Sequence, residues 1–277
     1  MSETIESSVG MRKFEGPRAD RLLRNTAVIW YLVAAVGQLG FLYFILAFYG
    51  VRTFSGNLAG WNDKPLIDGY IAGDNVGNLM FAVHAIGAAA ITLGGLLQLV
   101  PMIRQRYPSF HRWTGRVFIA LAWVMAIGGL WMVWIRGTYL SVASAIAISL
   151  NALLILAFTA LALRAALAGR IAEHRRWALR GFMMVSGVWF LRVGIMAWII
   201  LNQGPVGMTD SLSGPADIAL VFASVLLPLA VLEIYLAAQR SRQPSHKIAA
   251  SALVLAMTAL MAIGVFGTIR FMWGPYI

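Results

Sequence analysis

The chain contains no cysteine. Disulfides, covalently attached c-type haem, iron–sulfur clusters and thiolate nucleophiles are excluded together by that absence. Charge is scarce as well, at 12% of the 277 residues, against about 25% in a soluble domain. The motifs HExxH, GxGxxG, GxSxG and the Walker phosphate loop are missing, which removes the zinc-peptidase, dinucleotide, serine-hydrolase and P-loop readings. No pair of carboxylates occurs inside an apolar run, so paired acid–base chemistry in a membrane interior has no candidates either.

What the chain has in abundance is apolar surface. Hydrophobic residues make up 60%, with 27 Gly and 10 Trp, a balance familiar from membrane-spanning helices and their interfaces. A span needs about 20 mostly apolar residues to cross roughly 30 Å of hydrocarbon. Seven runs meet that requirement: 25–48, 78–101, 116–135, 141–168, 177–201, 216–238 and 248–270. The expected fold is an all-α polytopic transmembrane helix bundle, with a polar N-terminal tail over 1–24 and one membrane domain over 25–277. The only long connection is the loop 49–77, which is rich in turn formers and carries Asp63, Asp68 and Asp74.

The basic residues decide the orientation. Most of them fall on one side, around 12–24, 104–116, 164–180 and 240–247, whereas the acidic residues of 63–74 and 210–217 fall on the other. The positive-inside rule then places the N-terminus in the cytoplasm and the C-terminus outside. The formal net charge of +11 is accounted for by these loop positions, so no nucleic-acid partner is expected. The expected setting is a bacterial inner membrane, with lipids as partners and a membrane-protein complex or homo-oligomer as the further possibility.

Two boxes carry the functional signal. FHRWTGR (110–116) and EHRRWALR (173–180) write His, Arg and Trp in the same order where a new span begins. Trp at headgroup level and Arg on lipid phosphates would explain much of this. The repetition suggests in addition that spans two and three and spans four and five are related, parallel helix hairpins. They would then bring His111 and His174 to one depth, where two imidazoles can ligate a b-type haem or hydrogen-bond a quinone. Arg112, Arg116, Arg175 and Arg180 would hold propionates or an anionic headgroup.

Polar residues lie within the spans, Gln38 and Asn151 near the midplane among them. His84 and Gln98 share one stripe of span two, beside small residues that allow close helix approach. Arg192 lies deep in span five, where an ion pair with Asp217 is one expected role and contact with an anion or cofactor the other. Glu233 sits near the depth of Arg116 and Arg180, which makes a salt bridge its simplest role.

The block HAIGAAAITLGGLLQLVPMIRQRYPSFHRWTGRVF, with LALRAALAGRIAEHRRWALRGFMM and FLRVGI, resembles the domain-of-unknown-function 2306 family of bacterial multi-spanning membrane proteins, over roughly residues 76–200. The resemblance implies the same membrane topology and marks His84, Gln98, His111, Arg112, Trp113, Gly115, Arg116, His174, Arg175, Arg176, Trp177, Arg180 and Arg192; it brings no activity with it. A more distant resemblance is to two-haem transmembrane cytochromes b, but span four has no His, so a single bis-His pair is available. The leading expectation is a haem b or quinone-like ligand at the boxes, serving electron transfer. The alternatives are a non-enzymatic scaffold binding anionic lipid and a transporter using His84, Arg192 and Asp217 under the 49–77 loop.

Overall fold

The structure is a computed structural model that describes residues 2–64 and 68–277, with side chains from residue 16 onward save Pro17. Ten α-helices follow one another among the described residues, and no strand occurs there. Helix α1 (Ser2–Phe44) passes through a π-helical turn (Ile45–Gly50) into the short α2 (Val51–Phe54), and the stretch Arg18–Phe54 is long and apolar enough to cross a membrane. The polar segment expected as a tail is thus continuous with the first span. Then come α3 (Asn75–Leu99), the short α4 (Pro101–Arg106), α5 (Pro108–Trp134) and α6 (Val142–Leu167). The chain closes with α7 (Ile171–Val185), α8 (Gly187–Leu201), α9 (Pro215–Arg240) and α10 (Pro244–Gly267), the last ending in a second π-helical turn (Thr268–Trp273). Each of the seven apolar runs coincides with helix.

Local chemistry marks the helix starts. Pro opens α5, α9 and α10 at the first helical position, where its missing N–H costs nothing. Ser141 and Ser144 form a reciprocal capping box on α6, satisfying two N–H groups that would otherwise be orphaned. The Asp74 carboxylate accepts from the Gly77 N–H to cap α3.

The fifth apolar run, 177–201, is built as a bent pair of helices. Helices α7 and α8 meet at Ser186 with a bend of 55°, and the break moves the chain from one core to another. Helix α7 packs on α6 and α9, whereas α8 packs mainly on α10 and α9. Accordingly Phe182 and Met184 sit in a core with Ile91, Phe118, Leu232 and Leu236. Trp189 and Val193 sit in a second core with Phe41, Phe44, Phe48, Val265 and Trp273. The Gln38 amide of α1 donates to the Ser186 hydroxyl at 3.0 Å, and Asn151 of α6, 8% exposed, lies against Gly187. A cavity of about 20 Å³ opens there beside Ser224 of α9, room for about one water. Pro228 lies one turn beyond Ser224 and has no N–H to offer its carbonyl.

The approach of α8 to α10 depends on Gly264, where a Cβ would overlap the Val193 carbonyl oxygen. Ala is ordinarily the better helix former by about 0.5–1 kcal/mol. We expect Gly264→Ala to destabilise instead, by about 1–3 kcal/mol, because backbone cannot yield as a side chain can. Thermal unfolding of the detergent-solubilised variant checks this; an unchanged or raised Tm would contradict the packing.

Candidate functional site

At the Arg-rich end, His111 and His174 lie in the first turns of α5 and α7, both half-buried and within electrostatic range of each other. The His174 Nδ1 is 2.9 Å from the Ala162 carbonyl oxygen of α6. A carbonyl only accepts, so Nδ1 carries the proton and the Nε2 lone pair is free. His111 presents a buried Nδ1 with no partner among the described residues. Both imidazoles thus retain unused bonding capacity.

The flanking residues divide by partner. Arg180 donates to both Glu233 oxygens, at 2.6 and 2.8 Å, and stacks over Trp177 at 4.6 Å. This bidentate geometry is among the stronger forms of ion pair. Arg116 lies over Trp113 at 5.3 Å, and Arg112 donates to the Ser109 hydroxyl at 3.1 Å. Arg112, Arg116 and Arg175 are exposed, as is Trp113 at 65%. Gln98 donates to the Thr114 hydroxyl at 2.7 Å, tying the end of α3 to the box on α5, and Gly115 leaves space for its amide.

At the opposite end, the segment between α1 and α3 folds down as a cap. Trp61, 2% exposed, plugs the bundle against Phe81. Asn62 clamps both backbone groups of Tyr70, and Asn78 does the same for Ile71. Arg136, just beyond α5, holds the cap down by donating to Asp74 at 2.9 Å, Asn78 at 3.0 Å and the Gly69 carbonyl at 3.1 Å. Gly77 is required there, since a Cβ would collide with the Asp74 carboxylate and the Arg136 guanidinium. Arg136 carries no motif in the sequence; an N-cap Asp followed by Gly77 and Asn78 is the local signal of the cap.

Arg192 departs from expectation. It does not pair with Asp217, whose carboxylate instead accepts from the backbone of Thr209 and Gly214 at the start of α9. Both N–H groups use Oδ2, which fixes the carboxylate at the helix start, and Oδ1 is buried without a partner among the described residues. Arg192 donates to its own helix at Val188 and lies over the Phe41 ring at 5.3 Å. His84, on α3, is within electrostatic range of Arg192, and its buried Nδ1 has no partner among the described residues. Among the described residues no group of three or more His, Asp or Glu has a metal-binding arrangement.

Comparison with known proteins gives one likeness. Residues 81–214 match the family model described as Predicted membrane protein (DUF2306). The matched segment contains both boxes, His84, Gln98 and Arg192, and leaves out α1, α2, α9 and α10. No curated protein matches the chain, and no solved structure does.

The cap should be sensitive to acid. The Gly77 N–H, then Arg136, hold the Asp74 carboxyl below its ordinary range. A depressed pKa contributes stability above the unfolded value, about 4, and that contribution is lost as pH falls through the folded value. Hydrogen exchange of the 68–78 backbone should therefore rise selectively below about pH 4, and Asp74→Asn should remove the pH step. Exchange that does not change over that range would contradict the assignment.

Proposed function

We propose that this integral membrane protein binds a redox ligand, haem b or a quinone, at the Arg-rich end between His111 and His174, and serves electron transfer there. The observation that carries the reading is the hydrogen bond from His174 Nδ1 to the Ala162 carbonyl. A backbone carbonyl on Nδ1 is the usual device for fixing an imidazole that uses Nε2 on a ligand. His111, half-buried with an unpartnered Nδ1, supplies the second contact. Exposed Arg112 and Arg116 are cations available to propionates, whereas Arg180 is committed to Glu233. The exclusion of thiolate chemistry leaves imidazole as the strongest ligand type the chain can offer an iron.

A second reading rests on a different observation. Trp113 and the guanidiniums of Arg112 and Arg116 are exposed on one helix end, which suits an anionic lipid headgroup. The two readings differ in what the histidines do.

An absorption spectrum of the purified protein, oxidised and then reduced by dithionite, with quinones and lipids extracted in parallel, separates them. We expect a Soret band that sharpens on reduction, or a co-purified quinone, and loss of either in His111→Ala and His174→Ala at unchanged membrane insertion. Retention of the ligand in both His variants would refute the proposal. Anionic lipid alone, lost with Arg112→Ala and Arg116→Ala but not with the His variants, would establish the second reading.

A further inference from the structure

We propose that Arg192 and Lys64, at the end of the bundle opposite the histidine boxes, form a binding site for an oxyanion, a phosphate or carboxylate group. The argument begins with unpaired charge. Four other cations have carboxylate partners across the fold: Arg52 with Asp63, Arg136 with Asp74, Arg180 with Glu233, and Lys247 with Asp20. Arg192 and Lys64 have none among the described residues. Arg192 spends one N–H on the Val188 carbonyl and has four more to give. A half-buried guanidinium in a membrane protein is costly unless something accepts from it.

The two cations contact one aromatic cluster. Arg192 lies over Phe41, and Phe41 stacks on Trp273 at 5.3 Å. Lys64 lies toward the Tyr276 ring at 5.8 Å, and Tyr276 packs on Phe48 in the same core. Both cations therefore face one aromatic wall, from α8 and from the cap. Burial, then the charge of Arg192, holds the Lys64 ammonium below its ordinary value, so the repulsion between them is felt. A single anion between the two would relieve it.

The hydrogen-bond inventory points the same way. Buried polar atoms without a partner in this half of the bundle include the indole N–H groups of Trp61 and Trp273. Those are donors only. An oxyanion supplies several acceptors on one group, which such donors can use. A cation would be repelled, and a neutral apolar ligand would leave the guanidinium unsatisfied.

The test uses the full chain in phosphatidylcholine nanodiscs with two probes, inorganic phosphate by titration calorimetry and phosphatidic acid by native mass spectrometry. We expect saturable binding of at least one probe, weakened about tenfold or more by Arg192→Gln and several-fold by Lys64→Gln, with Lys64→Arg close to the parent. Phosphate binding alone would identify a soluble oxyanion, and phosphatidic acid binding alone a lipid headgroup; either supports the site. Lys64 lies outside the spans, so its variants keep the test decisive if Arg192→Gln fails to insert. Absence of saturable binding to either probe, or affinity unchanged within twofold in both Gln variants, would overturn the proposal.

Discussion

A polar group inside an apolar bundle has no water to fall back on, so it must find its partner in the protein. That constraint orders this structure more than any single apolar contact does. It puts Glu233 of α9 opposite Arg180 of α7, the Gln38 amide on the Ser186 hydroxyl, and the Trp123 indole of α5 on Thr159 of α6 at 2.8 Å. Each of these bonds joins two helices whose apolar surfaces would pack equally well in several registers. Leu, Val and Ala against lipid or against one another differ little in energy, whereas a displaced carboxamide or guanidinium costs at least ~2 kcal/mol. Close side-chain packing therefore holds the helices together, and the polar pairs set their relative heights.

The same reasoning separates structural residues from candidates for function. Arg136 is committed through Nε and Nη2: a carboxylate, an amide oxygen and a carbonyl receive it, and the cap rests on that knot. Arg180 is employed too. His111, His84 and Arg192 are not, and they fall in two groups at opposite ends of the bundle. One group offers imidazole lone pairs and the other offers donors and positive charge. Those are different chemistries, and a single ligand would not satisfy both.

Much of the fold was legible because hydropathy over twenty residues is a strong signal, and all seven runs became helix. The bend at Ser186 was not, since FMMVSGVWF reads as uniformly apolar whether or not the helix breaks within it. What breaks it lies elsewhere in the chain: Gln38 takes the Ser186 hydroxyl, and the Asn151 carboxamide occupies the space a side chain at Gly187 would need, 2.9 Å from a Cβ there. Of the site residues, the Arg180–Glu233 pair followed from matched depth, and Gln98 faces a neighbouring helix as its stripe implied. The Arg192–Asp217 pair failed because opposite charge at similar depth ignores local demand. The sequence GPAD places Asp217 at the third position of a new helix, where unsatisfied N–H groups claim it first. Lys64 escaped notice because a lysine in a polar loop has no signature until the loop is seen folding back over the bundle.

The bend then explains how Arg192 comes to face the interior. It lies six residues beyond Ser186, or roughly 9 Å along the axis of α8. A 55° change of direction displaces a point at that distance by roughly 7 Å from the line of a straight helix. That is more than the length over which a guanidinium can adjust its hydrogen bonds. A straight span would carry Arg192 away from Phe41, from the α1–α10 core and from the cap, and toward whatever surrounds α7. The break also lets α7 keep its own commitments, to Glu233 through Arg180 and to the Ala162 carbonyl through His174, without dragging α8 along. Two polar centres with different demands are thus served by one span, because Ser186 and Gly187 allow each half to take its own direction.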